Sequence, residues 1–112
     1  MIQLSEGQVW EFRARGGEKH ALVKIQKIEL HPDDGDEVFH ISMIGLRCLH
    51  GTELPHAPVS RQTLENSITR LAQDFGQFPD YRVGLAEWRR AKGGVFSISL
   101  AEIIQIGDID HS

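Results

Sequence analysis

From Gln8 to Arg15 the chain alternates: Trp10, Phe12 and Ala14 are apolar, while Glu11, Arg13 and Arg15 are charged. A period of two puts the first set on one face, which predicts a strand with one buried side. Gly16-Gly17 follows, and Ala21 to Leu30 then continues in extended-type residues, so the two runs should pair as a hairpin. Within the second run the apolar phase slips. Ala21, Val23 and Ile25 share one parity, whereas Ile28 and Leu30 share the other, so a bulge or strong twist is expected between Ile25 and Ile28 and the sheet should curl.

Val38 to Cys48 predicts a third strand, with Phe39, Ile41 and Met43 on one face and Ile44, Leu46 and Cys48 on the other. Apolar residues on both faces imply a central strand covered on both sides. Leu49 to Val59 contains Gly51, Pro55 and Pro58 and reads as a loop. Ser60 is then placed to cap a helix whose Leu64, Ile68, Leu71 and Ala72 recur at helical spacing. A second helix should start near Pro79-Asp80, carry Tyr81, Leu85 and Trp88 on its buried face with Arg82, Arg89 and Lys92 elsewhere, and stop at Gly93-Gly94. Val95 to Ser99 predicts a fourth strand, and Ser99-Leu-Ala-Glu102 has the capping-box spacing for a short final helix, with the tail fraying after Gly107.

The expected fold is therefore α+β: a curled antiparallel sheet, made of a three-stranded N-terminal meander plus a later strand, with two to three helices packed on it. A chain of 112 residues has room for one core, so residues 1–112 are read as a single domain. Hydrophobic residues at 40% and charged residues at 25% support a folded globular chain. No apolar run approaches the roughly 20 residues of a membrane-spanning helix, and Met1 to Gly7 shows no secretory pattern, so the cytoplasm is the expected location. A lone Cys48 forms no internal disulfide. The net charge of −4 argues against nucleic-acid binding.

Candidate chemistry concentrates in His31-Pro-Asp-Asp-Gly-Asp-Glu-Val-Phe-His40. Its carboxylates lack the alternate spacing of a calcium loop, and neither a helical His pair nor a second cysteine supports a transition-metal site. Turn chemistry explains the composition: proline sets φ, aspartates bond back to the backbone, and glycine takes the left-handed position. His50 and His56 lie near Cys48 in the sequence, which raises a Cys-His pocket as an alternative. No phosphate loop, nucleophile elbow, zinc-protease signature or Cys-x-x-Cys pair is present.

The stretch Gly7-Gln8-Val9-Trp10-Glu11-Phe12-Arg13-Ala14-Arg15, followed by Val38-Phe39-His40-Ile41-Ser42-Met43-Ile44-Gly45-Leu46, resembles small uncharacterised bacterial single-domain proteins that open with a Gly-Gln-Val-Trp strand. The resemblance covers the first part of the chain and extends to Tyr81 through Trp88. It implies a bacterial source and a compact single domain, and brings no catalytic residue.

A small acidic domain without a catalytic constellation is expected to work by binding, with no cofactor and no metal. The leading expectation is an immunity or antitoxin-type inhibitor that occludes the active site of a basic toxin. Asp33, Asp34, Asp36 and Glu37, with Glu53, would steer the partner, and Phe75 and Phe78 would anchor it. The alternative is a small ligand- or metal-binding enzyme domain in which His40, His50, His56 and Cys48 converge on one pocket.

Overall fold

The computed structural model describes residues 3–49, 51–73 and 75–110. Five antiparallel strands form one open, curled sheet: β1 (Val9–Phe12), β2 (Leu22–Leu30), β3 (Glu37–Ile44), β4 (Leu54–Val59) and β5 (Ile68–Leu71), in the spatial order β4-β3-β2-β1-β5. Three helices, α1 (Arg61–Ser67), α2 (Arg82–Ala91) and α3 (Leu100–Asp110), complete an α+β fold. The N-terminal meander forms as the alternation predicts, except that β1 ends at Phe12 rather than at Arg15. The phase slip in β2 is a register shift between Ile25 and Lys27, where one extra residue turns the strand over and curls the sheet.

β3 is buried on both faces from Val38 to Met43. Phe39, Ile41 and Met43 enter the main core with Leu64 of α1 and Leu100, Ile103 and Ile104 of α3. On the other face Val38 packs against Leu85 and Trp88 of α2, with Tyr81 and Val95 at the margin. The expected second apolar face of β3 needs correction, however. The strand ends at Ile44, Gly45 takes a φ of 74°, and Leu46 turns back into the main core, with Cys48 packed beside it.

Three other expectations give way to tertiary pairing. The proline-bearing loop is in part a strand, β4, which lies outside β3 at the sheet margin. Pro58 directs its carbonyl outward to accept from Phe96 N at 2.9 Å, so its missing N–H costs no bond to β3. The helix that starts after Ser60 stops at Ser67, and Ile68–Leu71 becomes β5. β1 otherwise presents an unpaired edge, and the chain fills it with pairs Trp10↔Leu71 and Phe12↔Ile68 and with Arg13 N donating to Ser67 O at 2.8 Å. Those bonds outweigh the helical spacing of Leu64, Ile68 and Leu71. Residues 95–99 form no strand; Phe96 makes one parallel bridge with Val59. The later strand of the sheet is thus β5.

Helix ends follow local signals more closely. Ser60 Oγ accepts from Thr63 N at 3.1 Å. The capping box closes on both sides, with Glu102 N donating to Ser99 Oγ at 3.1 Å and Ser99 N to Glu102 Oε1 at 3.2 Å. α3 runs through Gly107 to Asp110 rather than ending there. α2 stops where its periodicity predicts, although the left-handed residue is Lys92, with φ 51°, and Gly93 N closes the turn on Trp88 O at 2.9 Å.

Two glycines separate backbone strain from steric conflict. Gly35 has φ 74° and open space beyond it, whereas Gly45 has the same φ and an added Cβ would sit 2.7 Å from His20 O. Gly35→Ala should cost about 1 kcal/mol and Gly45→Ala roughly twice that or more. Urea unfolding of the two variants checks the order, and equal costs would show that the contact with His20 is not rigid.

Candidate functional site

On the α2 side of the sheet, neighbouring strands bring together Glu29 (β2), His40 (β3) and His56 (β4). His40 is fully buried. Its Nδ1 lies 2.8 Å from His56 Nε2, and the two rings stack with centroids 5.0 Å apart. His40 Nε2 lies 3.2 Å from Glu29 Oε1 but off the direction a hydrogen bond needs, and it has no other partner among the described residues. Glu29 Oε1 also accepts from Arg89 Nη2 of α2 at 2.9 Å. Trp88 closes the top, its ring edge-on to His40 at 4.8 Å. Gly84 allows the close approach of α2, since a Cβ there would meet His56 Cβ at 2.6 Å.

The charges select one proton arrangement. A carboxylate beside His40 Nε2 favours a proton on that nitrogen over a lone pair. His40 Nδ1 must then accept, His56 Nε2 donates, and His56 Nδ1 is left as the basic atom of the pair. Burial pushes His40 down to about 4; the neighbouring His56 and Arg89 add to this, and Glu29 opposes it. Burial also lowers His56, which Glu29 partly offsets. The pair is therefore neutral at pH 7.

The acidic loop is the β2–β3 turn, and Asp33, Asp34, Asp36 and Glu37 are all exposed. Four hydrogen bonds fix its shape: His31 N to Asp36 O at 2.8 Å, Gly35 N to His31 O at 2.9 Å, Asp36 N to Asp34 Oδ1 at 2.9 Å, and Asp33 N to His31 Nδ1 at 3.1 Å. Because His31 Nδ1 accepts, Nε2 carries the proton and points to Gly93 O, 3.4 Å away. Glu37 differs from the aspartates, since Arg61 binds both its oxygens at 2.8 and 3.2 Å and lowers its pKa.

The other residues predicted to bind a partner lie elsewhere. Glu53 precedes β4, whose first residue pairs with Met43, six residues along β3 from Glu37 and so roughly 20 Å away. Phe75 and Phe78 meet edge-on at 6.3 Å on the segment between β5 and α2. Lys24 lies over Phe78, and Phe75 remains half exposed. The acidic turn, Glu53 and the phenylalanines thus occupy three places.

Of the four residues proposed to converge on a pocket, His40 and His56 meet ring to ring, Cys48 bonds to Arg15 but lines the same cavity as His56, and His50 lies outside the described residues. Cys48 belongs to a polar cluster around Arg15, which binds Glu18 through both oxygens at 3.0 Å, Asp108 at 2.9 Å and Cys48 Sγ at 3.7 Å. Burial and then Asp108 raise the thiol pKa, so Cys48 is a protonated thiol at neutral pH. Burial pushes the Glu18 carboxyl up, but Arg15 and the Arg47 N–H outweigh it, and the group stays ionised. A cavity of about 320 Å³ beside this cluster is lined mainly by Leu46, Leu54, Phe96, Ile103 and Ile104. No group of three or more metal-ligating side chains occurs among the described residues.

Glu29, Trp88 and Arg89 were not legible as members of a site, because their partners come from other elements. One local signal existed. His40 and Ser42 interrupt a strand whose other face is apolar, and His56 follows Pro55 with Pro58 two residues on. No family model, curated protein or solved structure matches the chain.

A depressed imidazole pKa makes stability depend on pH with a definite sign. The unfolded chain takes up the proton near pH 6.5 and the folded His40 only near 4, so stability is full above 6.5 and falls as the pH drops toward 4. His40 alone contributes about 3 kcal/mol to that fall. Glu18 and Glu37, whose pKa values are lowered, add their losses only further into acid. Urea titrations between pH 7.5 and 4 should show the slope in the wild type and lose most of it in His40→Gln/His56→Gln. A flat wild-type profile would mean that the pair is hydrated.

Proposed function

We propose that the chain is a non-catalytic protein-binding module that docks a basic partner on the β2–β3 tip. Its specific form is an immunity or antitoxin-type inhibitor, acting in the bacterial cytoplasm by covering a toxin's active site. The observation that carries this reading is a hydrogen-bonded acidic turn: Asp33, Asp34 and Asp36 are exposed on a backbone held by four hydrogen bonds. A preformed turn loses little entropy when it binds, and three carboxylates on one tip steer a cationic surface toward it. Phe75, half exposed beside Phe78, supplies an apolar anchor away from the tip.

A second reading, a ligand-binding or enzymatic domain, is favoured by one observation, the 2.8 Å contact between His40 and His56 with Glu29 behind it. A carboxylate, an imidazole and a second imidazole in series resemble the parts of a general base. Trp88 covers His40, which is fully buried, whereas the acidic tip is exposed, which ranks docking first.

Capture on the immobilised protein at low salt should retain a basic protein partner that physiological salt weakens. Charge reversal at Asp33→Lys, Asp34→Lys and Asp36→Lys should leave the unfolding midpoint nearly unchanged and slow association about tenfold or more at low salt. An unchanged on-rate would remove the tip from the interface.

A further inference from the structure

Trp88 connects the buried histidine pair to the acidic tip. Its ring meets His40 edge-on at 4.8 Å and His31 edge-on at 5.7 Å. His31 forms the base of the tip, since its ring accepts from Asp33 N and its backbone N–H donates to Asp36 O. The tip, Trp88 and the pair are therefore one packed stack, and α2 supplies its middle layer.

α2 is held to the sheet by a small contact. Only Leu85 and Trp88 are buried along it, in a cluster separate from the main core, and Arg89 adds the ion pair to Glu29. The charged and titratable groups around the pair are few. Glu29 comes from β2, where Lys27 is the register partner of His40; Arg89 comes from α2; His31 stands on the far side of Trp88. Among the described residues one carboxylate, Glu29, lies within ion-pair distance of the pair, and Arg89 already engages it. A proton added to the fully buried His40 finds, among the described residues, no counter-charge that Arg89 does not already engage while α2 is seated, whereas His56 is partly exposed and borders the cavity that Glu53 and Asp108 also line.

We infer that protonation of the His40–His56 pair lifts α2 from the sheet and, through Trp88 and His31, loosens the acidic tip, so that a bound partner is released on acidification. The release of a partner rests on the docking reading above; the switch is a property of the free chain. In the seated form one proton is shared along the line between the rings. In the lifted form both rings are hydrated and take up protons at ordinary pH, so acid draws the equilibrium toward it.

Two-dimensional NMR of the free protein, titrated from pH 7.5 to 4.5, tests the switch. The Trp88 indole N–H, which donates to Gly94 O at 2.9 Å, and the amides of Asp33, Gly35 and Asp36 should move with the His40 and His56 ring protons. The amides of Val23 and Ile41 in the main core should stay. Arg89→Gln removes both a charge that disfavours the protonated pair and an ion pair that seats α2, and should raise the midpoint by about half a pH unit or more. Tip amides that ignore the histidine transition, or core amides lost in the same step, would overturn the inference. No partner is needed for this measurement, so its failure is distinct from a failure of the docking reading, which the triple-lysine on-rate measures.

Discussion

β3 has no solvent face between Val38 and Met43, and the rest of the structure follows from that burial. Two apolar faces on one strand must each be covered. The chain meets one with α1 and α3 and the other with α2. The same constraint buries the residues of β3 that are not apolar. Ser42 donates to Pro55 O at 2.6 Å, while His40 relies on His56 and on a carboxylate held off-axis by an arginine.

Buried polar groups in this protein divide into two kinds. Glu18, Thr63 and Ser67 are satisfied: Glu18 by Arg15 and Arg47 N, Thr63 Oγ1 by donating to Ile98 O at 2.7 Å, and Ser67 Oγ by accepting from Leu100 N at 3.1 Å. These bonds tie loops and α3 to the sheet. The histidine pair is different, because its remaining nitrogen has charge nearby and no directed bond. A group left in that state is costly to charge where it stands, and water reaches it when a neighbouring layer moves. The layer over it is α2, the one with the smaller apolar contact.

Local signals were legible wherever the backbone satisfies itself nearby. The hairpin after Gly16-Gly17, the register shift after Ile25, the Ser60 cap, the Ser99–Glu102 box and the Tyr81-Leu85-Trp88 stripe all formed as read. The errors share one cause. Leu64, Ile68 and Leu71 suit a helix, and Pro55 and Pro58 suit a loop, until an unpaired strand edge elsewhere in the sheet offers hydrogen bonds to those segments. The site was partly legible: His40 and His56 stood out by type, and the aspartates of the turn by composition. Cys48 stood out as well; it shares a cavity with His56, but its side chain bonds to Arg15.

By itself the sequence determined the meander, the curl of the sheet, the acidic turn and the helix caps at Ser60 and Ser99, because each is set by contacts within a few residues or by the period of side chains along one element. Only the tertiary structure decided that Ile68–Leu71 closes onto β1, that Leu54–Val59 lies on the free edge of β3, and that Glu29, His40, His56 and Trp88 meet. Those contacts join side chains and strand edges of separate elements. Their free energy comes from desolvation and hydrogen bonding across elements, which no local pattern encodes.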